Sequence, residues 1–134
     1  MLLRRTLTVW LVIIGVETVH GVLRQLLLTP LVGDLRARQI GVFIGSAIIL
    51  AVALAFSRWL AARSVRAQLG VGLVWTVLTI GFEAGLGTLY GLSRERMLSD
   101  YDVTAGGWMP LGLGFMLVSP WLAAKLRRLG DPDR

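Results

Sequence analysis

Four long apolar stretches, separated by short polar ones, run along this chain: residues 7–28, 40–60, 69–92 and 108–124. Each is near the ~20 residues a helix needs to cross a hydrocarbon core of ~30 Å. The short connections predict that neighbouring segments pack as antiparallel hairpins. Proline marks the boundaries: Pro30 is expected to end the first segment, Pro110 to open the fourth as a first-turn residue, and Pro120 to kink it. The pattern predicts an all-α fold, an integral membrane bundle of four transmembrane helices forming a single membrane domain over residues 1–134.

Glycine spacing adds helix contacts to this picture. Gly41 and Gly45, Gly81 and Gly85, and Gly87 and Gly91 each stand four residues apart. Small residues at that spacing let helix backbones approach closely in a membrane, so these six are the expected packing glycines.

Composition agrees with the hydropathy pattern. The chain is 55% hydrophobic and 16% charged, with a mean hydropathy of +0.71. A soluble domain of this size could not cover so much apolar surface, and lipid is the expected solvent. The net charge of +6 would point to nucleic acid in a soluble protein. Here the cations sit at the ends of apolar segments, where they set topology and form no nucleic-acid face. Arg4, Arg5, Arg58, Arg63, Arg66, Lys125, Arg127, Arg128 and Arg134 fall on one side. Arg36, Arg38, Arg94 and Arg96 fall on the other, offset by Asp34, Glu95, Asp100 and Asp102. This places both termini in the cytoplasm and the chain in the cell (inner) membrane. Trp10, Trp59 and Trp121 are expected at the cytoplasmic interface, with Tyr101 and Trp108 at the opposite one. The basic, apolar opening resembles a signal peptide but lacks a small-residue cleavage site, and it reads as a retained first span.

An internal match divides the chain. Gly15, Glu17, Gly21, Asp34 and Gly41 recur at one offset as Gly81, Glu83, Gly87, Asp100 and Gly107. This predicts two tandem helical-hairpin repeats, 1–66 and 67–134, related by a pseudo-twofold axis along the membrane normal.

Polar groups inside apolar segments supply the candidate chemistry. Glu17, His20, Gly21 and Arg24 fall on one helical face, and Thr76, Thr79, Glu83, Gly87 and Tyr90 on another. A charged group at the bilayer centre costs at least ~2.5 kcal/mol, so both stripes must face protein or water. Two carboxylates with a histidine beside them make a protonatable site, and Glu17, His20, Arg24, Glu83 and Tyr90 are the candidates for it. In size and in its first-helix glutamate the chain is similar to small four-span multidrug transporters. It carries none of their other motifs, and the second glutamate departs from their plan.

The residues give no support to an enzyme. Ser46 and Ser119 have no histidine at helical spacing, there is no phosphate-binding glycine loop, and the absence of cysteine removes disulfides and thiolate metal sites. A single histidine cannot supply both axial ligands of a bis-histidine haem, so no metal or cofactor is predicted. Two functions follow as expectations. The first is a proton- or cation-linked transporter or channel, working as a homo-oligomer because four helices enclose little lumen. The second is a non-catalytic subunit or assembly factor that joins other membrane subunits through the same polar stripe and glycine faces.

Overall fold

The computed structural model describes residues 1–129; Arg134, assigned above to the basic side, lies outside the described residues. Helix α1 (Leu2–Leu23) continues through a π-helical turn (Arg24–Leu28) into the short α2 (Thr29–Val32). Then come α3 (Asp34–Leu60), α4 (Val65–Leu89), the short α5 (Arg94–Ser99), a 3-10 turn (Val103–Ala105) and α6 (Met109–Leu129). The described residues contain no strand. Four helical stretches are long and apolar enough to cross a membrane: Leu2–Val32, Asp34–Leu60, Val65–Leu89 and Met109–Arg128.

The helices extend past the apolar windows where helical hydrogen bonding continues through charged flanks, as at Leu2, Asp34, Val65 and Leu129, whereas α4 stops at Leu89, short of its window. Local residues decide where each one stops. The first helix does not end at Pro30. Proline has no N–H to give the carbonyl four residues back, and its ring crowds that carbonyl. The chain widens just before it, with the Thr29 N–H bonding the Arg24 carbonyl, and the helix ends instead at Gly33, whose φ of +88° suits a residue without Cβ. The Ser64 side chain caps α4 by accepting from the Ala67 N–H at 3.0 Å, and Ser93 caps α5 through the Arg96 N–H at the same distance. Pro110 sits in the first turn of α6, as expected, and Pro120 lies inside that helix.

The helices form a ring in which α1 packs on α3, α3 on α6, α6 on α4, and α4 on α1. One end of the bundle, the base, carries Met1, the last turns of α3 and α6, and the start of α4. The other end, the crown, carries α2, α5 and the 3-10 turn. The apolar core is gathered toward the base: Val9 and Ile13 from α1, Ile49, Ala53 and Leu60 from α3, Val71 and Trp75 from α4, and Met116 and Ala123 from α6. Trp75 is wholly buried and donates its indole N–H to the Thr6 carbonyl at 2.9 Å. Trp10, expected at an interface, turns inward instead, donating to the Thr79 hydroxyl at 3.1 Å and meeting the Phe82 ring edge-on. These contacts tie α1 to α4 on the base side of Glu17.

At the crown, charge holds the connections. Arg38 donates to Asp34 at 3.0 Å and pairs with Asp100, while Arg96 lies 3.3 Å from Asp100 and 3.7 Å from Asp34. Two arginines and two aspartates thus alternate between the start of α3 and α5.

Candidate functional site

The polar stripe of α1 lies against α3 at a place where α3 has no side chains. A Cβ added at Gly45 would stand 3.1 Å and 3.3 Å from the Glu17 carboxylate oxygens. One added at Gly41 would stand 3.1 Å from Arg24 Cδ and 3.7 Å from His20 Cε1. The two glycines are buried, and the atoms nearest to them belong to side chains of α1 and of the π-helical turn after it, not to their backbone. The glycines form a trough that receives Glu17, His20 and Arg24.

Within that trough His20 Nδ1 is 3.4 Å from Glu17 Oε2, a long contact one helical turn apart. The two side chains keep only 14% (His20) and 23% (Glu17) of their surface accessible. Three polar atoms there are buried and have no hydrogen-bond partner: Glu17 Oε1, His20 Nε2 and Arg24 Nε. Each such atom costs about 1–3 kcal/mol when left unmatched, and they lie along a single face. Arg24 is also the first residue of the π-helical turn, a local widening that recurs at functional sites.

Glu83 projects from α4 within electrostatic reach of both Glu17 and Arg24. Its residue surface remains exposed, so it belongs to the accessible side of the cluster and not to the dry core. Tyr101, in the connection after α5, lies in the field of Glu83 and Asp100. Burial pushes its hydroxyl above the ordinary tyrosine range, and the two carboxylates push it further.

The remaining stripe residues of α4 do not assemble. Thr79 is buried between Trp10 and Met116, and Thr76 gives its hydroxyl to the Gly72 carbonyl on its own helix. Tyr90 is 74% exposed where α4 ends, away from the cluster. Helical spacing sets the shared face, but Thr76 and Thr79 spend their hydroxyls elsewhere and Tyr90 lies past the last turn of α4.

No protein-family model, curated protein or solved structure matches the chain. The site is therefore read from its own atoms. Among the described residues no three acidic, histidine or cysteine groups stand close enough to hold a metal ion. What the arrangement offers is a carboxylate, an imidazole and a guanidinium side by side in a glycine trough, with a second carboxylate on α4 within electrostatic reach. Such a set can pass a proton or hold a small cation between carboxylates, with Arg24 limiting how much positive charge accumulates.

The other expected packing glycines divide three ways. Gly87 is buried and faces the Met97 sulfur of α5. Gly81 and Gly85 meet nothing within 4 Å, because they lie on the face of α4 turned away from Trp75 and α6. Gly91 is a turn residue with φ +73°, ending α4 through the Leu92 N–H to Gly87 carbonyl bond of 2.9 Å. The close approach of α4 and α6 occurs at Gly72, where any Cβ would collide with the Leu117 carbonyl. Gly72 has no glycine four residues away, so the spacing rule passes over it.

Proposed function

We propose that this chain is an integral membrane protein of the cell (inner) membrane that moves protons or small cations along a path lined by Glu17, His20, Arg24 and Glu83. The observation that carries this reading is the set of unmatched buried atoms on Glu17, His20 and Arg24. Polar residues that merely fix helix register spend their hydrogen bonds on neighbouring helices. Here the bonding capacity is kept and lies beside an accessible carboxylate, as a transient occupant requires. The cation-rich base is assigned to the cytoplasm and the charge-balanced crown to the far side, following the asymmetry of arginine and lysine.

The two hairpins are proposed as tandem copies, 1–66 and 67–134, that have diverged at the site. The offset that carries Glu17 onto Glu83 carries Asp34 onto Asp100, and these two aspartates share the Arg38 and Arg96 network. It also carries His20, Arg24 and Gly45 onto Leu86, Tyr90 and Leu111, so the second copy retains the carboxylate without the trough.

The test is proton flux into proteoliposomes with a trapped pH dye. Glu17→Gln and Glu83→Gln should each fold normally and lower flux roughly tenfold or more, since each removes an ionisable group that the pathway uses. Wild-type flux no greater than that of empty liposomes would reject the transport reading. The exposed Gly81 and Gly85 face of α4, with Val77 and Ile80 beside it, favours a second reading, in which this chain is a subunit docked on other membrane helices or on its own copies. Stoichiometric co-purification of another subunit, together with no flux by the isolated chain, would be its signature.

A further inference from the structure

The base of the bundle is charged in a way that its packing does not use up. Arg4, Arg5, Arg58, Arg63, Arg66, Lys125, Arg127 and Arg128 all lie there, and no acidic residue of the described chain lies with them. The acidic residues within the described chain are Glu17, Asp34, Glu83, Glu95, Asp100 and Asp102, all in the stripe, beside it on α4 or in the crown, while Asp131 and Asp133 lie outside the described residues. Every ion pair in the described structure belongs to the stripe or to the crown network.

Four of these cations, Arg58, Arg63, Arg127 and Arg128, stand around two adjoining open grooves between the ends of α3 and α6. One, about 330 Å³, is lined by Leu54, Leu126, Arg58 and Arg127. The other, about 220 Å³, shares Arg58 and Arg127 and adds Arg63 and Arg128. Arg127 is held in place: its guanidinium donates to the Leu54 carbonyl at 3.0 Å and 2.6 Å. Arg58, Arg63 and Arg128 are exposed around it. Positive topology signals alone require no groove, no fixed arginine and no apolar wall. A cleft with leucines on one side and guanidinium groups on the other matches an amphiphile whose head is an anion, because guanidinium binds phosphate oxygens through paired N–H donors.

We infer that this cleft binds the phosphodiester headgroup of an anionic phospholipid, with Arg58, Arg63 and Arg128 as its cationic partners and Leu54 and Leu126 against the start of its chains. Basic pockets between helix ends at a charged leaflet are the general form of such sites. The inference rests on the membrane reading above, but not on transport.

The experiment places the full-length protein in nanodiscs of phosphatidylcholine with a minority of phosphatidylglycerol and reads retained lipid by native mass spectrometry. Wild type should retain phosphatidylglycerol well above its share of the bilayer. R58Q/R63Q should lower that enrichment roughly tenfold, as expected when two cationic contacts are lost at an anionic headgroup. R4Q/R66Q removes the same charge from exposed positions outside the cleft and should leave the enrichment intact. Both variants should keep the wild-type circular dichroism, since none of the four arginines makes a side-chain hydrogen bond in the described structure. Equal loss in the two variants would show diffuse attraction to the whole base and overturn the site, as would undiminished enrichment in R58Q/R63Q. Displacement of the retained lipid by inorganic phosphate would reassign the cleft to a soluble anion and overturn the lipid assignment. Failure of the protein to enter the discs would overturn the membrane reading and the headgroup site together, whereas insertion without enrichment would overturn the headgroup site alone.

Discussion

Glu17 illustrates how one residue can be placed by what another lacks. Its carboxylate fits against α3 because position 45 has no side chain. Gly45→Leu, which installs the residue that the proposed repeat sets at this position, Leu111, should expel the carboxylate from the trough while leaving it in the chain. In the liposome assay this variant should be as inactive as Glu17→Gln, with a similar loss of roughly tenfold or more. Gly45→Ala brings its Cβ only into tight contact with a mobile carboxylate, and it should keep most of the flux. Equal flux in the leucine variant and wild type would mean that the trough does not position Glu17. The stripe itself was legible in sequence, because charged groups inside an apolar run must have a reason to be there and helical spacing puts Glu17, His20 and Arg24 on one face. The trough was legible only as a glycine spacing: a pair of glycines allows close approach, but sequence does not say whether a backbone or a polar side chain takes the space.

At the scale of elements, the four long helices follow from hydropathy alone, because length and apolar content suffice to define them. Their ends were less legible, since a helix continues through charged residues until a cap, a glycine or a proline intervenes. Which glycine matters for packing also depends on neighbours. Gly72 faces the Leu117 carbonyl with no room for a methyl group, whereas Gly85 faces open space. Gly72→Ala should therefore destabilise the detergent-solubilised protein by about 1–3 kcal/mol, the range for overpacking a close contact. Gly85→Ala should be neutral or stabilising by up to about 1 kcal/mol, from helix propensity alone. Thermal unfolding of the two variants checks the pair, and a larger loss at Gly85 would mean that its face is covered in the protein as purified.

The molecule as a whole is divided along its length. Toward the base, four helices converge on Trp75 and its apolar neighbours; toward the crown, packing gives way to the polar trough, Glu83 and an arginine–aspartate network. Exposed ion pairs contribute little each, about 0–1 kcal/mol, so the crown is held less firmly than the base. Amide hydrogen exchange should show the strongest protection around residues 9–13, 49–53 and 71–75, with faster exchange in α5 and in the connection that follows it. Raising ionic strength should accelerate exchange in α5 more than in the base, because it screens the network that fastens α5 to α3. Uniform exchange along the four helices would contradict this division. In sequence the division shows only as polar groups and glycines gathered in the crown-side halves of the first and third segments; the meeting of the helices shows which half is filled.

The π-helical turn at Arg24–Leu28 also bears on how this chain can be compared with others. A turn closed by the Thr29 N–H and the Arg24 carbonyl encloses one residue more than a regular turn. A related chain with an unremarkable residue in place of Pro30, and one residue fewer between 24 and 28, would trace the same path with an ordinary helix. An alignment of the two would then need a gap in the middle of a continuous helix, where gaps are normally treated as mistakes. Here that gap would be correct, and forcing the two chains into ungapped register would set Glu17, His20 and Arg24 opposite the wrong partners in every comparison made from the far side of the turn.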